Sequence, residues 1–215
     1  MALPKRFTVE PIWAGCTAIV LCTGPSASLK QVRAIARARL WPESKFRVIA
    51  VNDAIYGAWW ADWHHACDWS WWAEHIQHVH TFPGIKTTLA EDVPAPWVTG
   101  YLENSGNEGF DPDPSRCRTG NNSGYQAIHI AAHAGAKRIV LVGMDMKMDA
   151  QGNSHNFGEH RDGRKAHFAT VMLPMFPTIV PALEERGIEV VNATPGSALT
   201  TFPMVDLDEE LRKWA

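Results

Sequence analysis

No apolar run in the chain is long enough to cross a bilayer: the longest near-continuous stretch is Thr17 to Cys22, against about 20 residues for a spanning helix. No C-x-x-C pair occurs among the four cysteines, Cys16, Cys22, Cys67 and Cys117. They read as reduced thiols, mostly buried, rather than as a disulfide framework or a zinc site. A strong charge of either sign is also missing. The formal net charge is −3, which excludes a whole-protein electrostatic grip on nucleic acid and leaves only local basic sites. The phosphate-loop pattern G-x-x-x-x-G-K-[ST] and the dinucleotide pattern G-x-G-x-x-G are both absent, against a P-loop NTPase and against the usual dinucleotide fold. Tyrosine is scarce, at three. The start, Met1-Ala2-Leu3-Pro4-Lys5-Arg6, lacks a signal-peptide layout. The expectation is a cytoplasmic protein with no membrane span.

What is present is ordinary in amount and unusual in distribution. The 215 residues are 46% apolar and 20% charged, a soluble globular composition with enough chain for one real core. The expectation is a single domain over 1–215. Ten tryptophans and ten histidines are present, and six of the tryptophans lie within residues 59–72.

Strands and helices alternate. Ala18 to Cys22 reads as a buried strand ending in Thr23-Gly24-Pro25-Ser26, and Ser28 caps a helix through Arg39. Phe46 to Val51 is a second strand, ending at Asn52-Asp53, and His64 to Asp68 a short third. Ser70 is expected to cap a helix from Trp71 to about His80. Pro83 to Thr119 holds one strand, Ile85 to Leu89, and long loops, which in compact domains are often functional. Ser123 to Gly135 is a helix, and Lys137 to Val142 a strand ending at Gly143-Met144-Asp145. Phe168 to Arg186 is helical in pattern, but Pro174, Pro177 and Pro181 break or bend its first half. Ile188 to Val191 is the last strand and Asp208 to Trp214 a terminal helix. This is an α/β fold with a mostly parallel sheet. Ligands in such sheets bind beyond the carboxyl ends of the strands. That edge collects Thr23 to Ser26, Asn52, Asp53, Asp68, Asp145 and Asn192.

Four constellations carry chemistry. The Thr23–Ser26 turn offers backbone N–H groups to an anion, although a tight turn needs the same residues. Asn122 or Ser123 caps a helix whose start, with Arg116 and Arg118 just before it, suits a phosphate or a sugar carboxylate. The tryptophan cluster cannot bury every indole N–H easily. At least two of Trp59, Trp60, Trp71 and Trp72 are therefore expected at the cleft or at a homo-oligomer interface. The polar loop His155 to His167 holds three histidines with Arg161 and Arg164. A near-neutral His is a good general base, and arginines neutralise a leaving phosphate. A metal held by His155 and His160 with Asp145 or Asp149 is the alternative, although the spacing matches no zinc motif.

Taken in order, Gly24-Pro25-Ser26, Asn52-Asp53, Asn122-Ser123-Gly124-Tyr125, Ile139-Val140-Leu141-Val142-Gly143-Met144-Asp145, Gly158-Glu159-His160 and Pro195-Gly196-Ser197-Ala198-Leu199 resemble the Rossmann-like bacterial sialyltransferases that use CMP-sialic acid. They are also similar to the related MptE-like pterin diphosphokinases and their phage-encoded relatives. The resemblance spans about residues 17 to 205. It implies a nucleotide-sugar glycosyltransferase that inverts the anomeric carbon without a metal cofactor, taking a CMP-sugar or similar donor, in the host cytoplasm if phage-encoded. Thr23, Gly24, Pro25, Ser26, Asn52, Asp53, Asp68, Asn122, Ser123, Gly124, Asp145 and Ser197 would line the nucleotide and substrate site. His160 would be the general base, with His167 its rival. The family's tyrosine pair before the catalytic His has no counterpart here, so His155, Arg161 or Arg164 would stand in. Two alternatives remain: an ATP- and Mg²⁺-dependent diphosphokinase using carboxylates such as Asp53, Asp68 and Asp145, and a non-catalytic nucleotide-binding or interaction protein.

Overall fold

The computed structural model describes residues 2–40, 45–157 and 167–213. Within them, β1 (Thr17–Leu21), β2 (Phe46–Val51), β3 (Trp63–His65), β4 (Ile85–Thr88), β5 (Gly100–Tyr101), β8 (Arg138–Val142) and β9 (Glu189–Asn192) form one seven-stranded sheet. Its order is β5-β4-β3-β2-β1-β8-β9 and every pairing is parallel. A second, two-stranded ladder pairs β6 (Glu103–Asn104) with β7 (Arg116–Cys117). This is a Rossmann-like α/β arrangement.

The apolar runs explain the centre of the sheet. A parallel strand covered on both faces must be apolar at every position. The pleat sends successive side chains of β1 to opposite faces, so Ala18 and Val20 enter one core while Ile19 and Leu21 enter the other. The first core is covered by α3 (Ser123–His133) and α4 (Phe176–Glu185), through Tyr125, Ile128, Phe176, Ile179 and Leu183. The second is covered by α1 (Leu29–Ala38), α2 (Trp69–Val79) and α5 (Leu207–Arg212), through Ile35, Trp72, Ile76, Val79 and Leu211.

Strand order places the crevice. The chain runs outward from β1 to β5, then returns to lay β8 against the other side of β1. The reversal falls between β1 and β8, where α/β sheets open a crevice at their carboxyl edge.

Several elements differ from the sequence-based expectation. Residue Asp68, not Ser70, occupies the N-cap of α2, because β3 ends at His65 and the chain turns sooner. The prolines divide the expected 168–186 helix into a π-helical turn over Phe168–Met172, a 3-10 turn over Leu173–Met175, and α4. The loop before α3 is tied down by that helix: His129 Nε2 accepts from the Asp111 N–H at 3.0 Å, and His133 Nε2 donates to the Asp111 carbonyl at 3.0 Å. No helix among the described residues is long and apolar enough to cross a membrane.

Candidate functional site

The carboxyl end of β8 gathers the loops around it. Leaving β8, the chain passes through Gly143, Met144, Asp145 and Met146. The N–H of Gly24 donates to the Gly143 carbonyl at 2.8 Å, joining the turn after β1 to this segment. Next, Ser26 donates to the Asp145 carboxylate twice, from its backbone N–H at 3.1 Å and from Oγ at 2.9 Å. From the far side, Ser197 Oγ donates to the Met144 carbonyl at 2.6 Å, and Ala198 N–H to the Asp145 carbonyl at 2.8 Å. Thr194 Oγ1 accepts the Met144 N–H at 2.9 Å.

The start of α3 meets the same segment. Asn122 caps the helix, its Oδ1 accepting the Tyr125 N–H at 3.0 Å. Its amide nitrogen faces sulfurs, Met146 Sδ at 3.8 Å and Met172 Sδ at 3.7 Å. Ser123 opens α3, and Gly124 is packed so closely on Met144 that a Cβ there would lie 2.9 Å from Sδ. Met146 itself holds φ at +52°, a left-handed conformation that costs a non-glycine residue about 1–3 kcal/mol. Such strain persists only where the surroundings enforce it.

His155 and Asn156 bond to the turn after β1. Thr23, buried, shares a 3.1 Å hydrogen bond with His155 Nδ1, and the Asn156 N–H donates to the Thr23 carbonyl at 2.9 Å. The Phe157 ring stacks on His155 at 4.9 Å. Pro25 is half-buried in the same turn.

Electrostatics follow from burial. Burial raises the Asp145 carboxyl above its ordinary value, against the lowering effect of the two Ser26 hydrogen bonds and of Lys147. Beneath it, burial and the Asp145 charge push the Cys22 thiol up to about 12, which leaves it an unreactive core residue.

The remaining candidates lie elsewhere on the same edge or are otherwise engaged. Asn52 follows β2 at φ +49°, and its carbonyl accepts from His64 Nε2 at 3.2 Å. Asp53 accepts the Trp71 indole N–H at 2.6 Å and lies 3.8 Å from His75 Nε2. Asp68 is the N-cap of α2. His167 is exposed ahead of the π-helical turn. His160, Arg161 and Arg164 lie outside the described residues. The two arginines before α3 are committed to ion pairs, Arg116 with Glu103 at 3.3 Å and Arg118 with Asp111 at 3.7 Å. Among the described residues no group of three or more His, Cys, Asp or Glu converges to hold a metal ion, so Asp53, Asp68 and Asp145 do not form one. Of the tryptophans, Trp71 and Trp72 are buried, Trp60 is half-buried beneath the Arg39 guanidinium, and Trp59 is 38% exposed.

Sequence reasoning missed Thr194 and the methionines. Their roles depend on which strands become neighbours, and no local pattern signals that.

The closest approach in the crevice is testable. A Cβ on Gly24 would sit 2.6 Å from the Gly143 carbonyl oxygen and 2.8 Å from Asp145 Cγ. Gly24→Ala is therefore expected to destabilise the protein by about 1–3 kcal/mol, measured as a lower urea midpoint at unchanged slope. An unchanged midpoint would mean that the two strand ends are not in contact. No protein-family model matches the chain, and no curated protein matches it.

Proposed function

We propose that this chain is a nucleotide-sugar-dependent glycosyltransferase whose donor lies in the crevice between β1 and β8. The observation that carries this reading is the pair of Ser26 donors, N–H and Oγ–H, closing on the two oxygens of one carboxylate at the strand reversal. That pair is geometrically suited to an anion, and the Asp145 carboxylate stands where a donor phosphate oxygen would compete for it. The start of α3 adds a helix N-terminus whose dipole favours negative charge on the same segment. His155 reaches this turn through Thr23.

In this mechanism the acceptor hydroxyl attacks the anomeric carbon of the donor and the nucleotide phosphate leaves with the bonding electrons. Ser26 and the neighbouring turn hold the leaving phosphate. His160 takes the proton of the acceptor hydroxyl, and His155, Arg161 or Arg164 offsets the charge on the leaving group. The resemblance to the CMP-sialic-acid-using enzymes supports a CMP-sugar as first donor to try. Diphosphate transfer would call on Asp53, Asp68 and Asp145 to hold Mg²⁺, and among the described residues these do not converge.

The test is a thermal-shift screen of nucleotides and nucleotide sugars, with and without Mg²⁺. A ligand at about 100 times its Kd stabilises by about 2.7 kcal/mol, which raises the melting temperature of a chain this size by roughly 5–10 °C. One nucleotide class is expected to do so without Mg²⁺, and Ser26→Ala to abolish most of the shift. No shift with any nucleotide or nucleotide sugar would end this reading. A shift only with ATP and Mg²⁺ would replace it with diphosphate transfer.

A further inference from the structure

We infer that the adjacent histidines His64 and His65 of β3 are positioning residues, each fixing one loop of the crevice edge. Being neighbours on a strand, they point to opposite faces, and each takes a different loop. The Asn52 carbonyl can only accept, so His64 Nε2 carries the proton of that 3.2 Å bond. It anchors Asn52 in its left-handed conformation just after β2. On the other face, Trp63 Nε1 donates to Thr87 Oγ1 at 2.8 Å, and the Thr87 hydroxyl donates to His65 Nδ1 at 3.0 Å. His65 Nε2 then donates to Gln126 Oε1 at 2.8 Å, and Gln126 Nε2 to the Thr119 carbonyl at 3.0 Å. This directional series ends on the segment that leads into α3.

Stability alone does not account for His64. Its ring is fully buried among Trp71, Trp72 and Phe82, with centroids 4.8, 5.2 and 6.2 Å away. Its Nδ1, an acceptor in this tautomer, has no hydrogen-bond partner among the described residues. A buried acceptor without a donor destabilises a fold, and a phenyl ring would fill the same aromatic cage without that cost. What a phenyl ring lacks is the N–H that holds Asn52. Burial also keeps both rings neutral, His64 pushed down to about 3 and His65 to about 4, so the tautomers persist at neutral pH.

The binding part of this inference rests on the proposed nucleotide site; the loop-fixing part does not. The test compares His64→Phe and Gln126→Met with the wild type by urea melts, peptide-level hydrogen exchange and affinity for CMP. His64→Phe is expected to keep or raise the urea midpoint, while exchange over 50–57 rises about tenfold and exchange over 117–124 stays unchanged. Gln126→Met is expected to loosen 117–124 alone, at a lower urea midpoint, since it leaves the buried His65 Nε2–H without an acceptor. Each is expected to weaken CMP binding about tenfold. Exchange that rises in both segments together, or that rises in His64→Phe only with a lower urea midpoint, would reduce the two residues to packing and overturn the inference. Failure of the wild type to bind CMP would count against the nucleotide reading, and the exchange pattern would still decide the loop-fixing role.

Discussion

Acidification from about pH 7.5 to about pH 5 is expected to remove roughly 6 kcal/mol of folding stability, which is comparable to the whole margin of a typical domain. The cause is three fully buried histidines. Burial lowers the ring of His64 to about 3, His65 to about 4 and His129 to about 3. Each is neutral when folded and takes up a proton at its ordinary value when unfolded, so below the ordinary histidine range the unfolded chain binds more protons. Such groups stabilise the fold fully above their unfolded pKa and lose that contribution as pH falls towards the folded one. Integrated to about pH 5, each contributes a loss of about 2 kcal/mol. His133 is lowered in the same direction, again by burial. Asp111, Asp113 and Glu210 also lie below their ordinary values, so the loss continues into the carboxylate range. Asp145, raised by burial, offsets part of it there. Urea melts followed by tryptophan fluorescence at the two pH values would show this. Equal midpoints would mean that these rings are not buried and neutral as described.

The same histidines show where sequence reading stops. A buried parallel strand leaves a continuous apolar run, so β1, β2 and β8 could be read almost to the residue. The two-residue strands β5, β6 and β7 could not, because their hydrogen bonds follow from loop path and carry no periodicity. At the site, the small and polar residues after each strand were legible as an edge. Their convergence on Gly143–Met146 was not, because it depends on β8 returning beside β1, a long-range choice with no local signature. Arg116 and Arg118 were read as anion ligands from their place before α3. The β6–β7 ladder instead brings Glu103 beside Arg116, and Asp111 and Asp113 supply the remaining charge. His64 and His65 showed only as part of an aromatic cluster, since neither the tautomer of a ring nor the carbonyl it holds is written in the sequence.

Replacing His160 by alanine is expected to lower turnover by about 10²–10⁴-fold, the usual contribution of a general base, with fold and nucleotide affinity retained. The argument has a chemical and a positional part. A hydroxyl acceptor must lose its proton as it attacks, and a neutral imidazole is the side chain best matched to that task near neutral pH. In the sequence His160 stands three residues after Phe157, the last described residue of a segment whose His155 and Asn156 bond to the turn after β1. Two other histidines provide the comparison. His155 is already engaged with Thr23 and stacked on Phe157, so His155→Ala is expected to raise KM as the turn it braces loosens, and to lower kcat as well if His155 is the group that offsets the leaving-group charge. His167 is exposed and precedes the π-helical turn, and His167→Ala is expected to leave turnover within a few-fold of wild type. The three variants should be assayed in parallel with the donor found by thermal shift, over a range of pH. Loss of the rising, base-dependent limb of the pH profile in His160→Ala alone would establish the assignment. An inactive His167→Ala beside a near-normal His160→Ala would transfer the role to His167, and full activity in all three would remove histidine base catalysis from the mechanism.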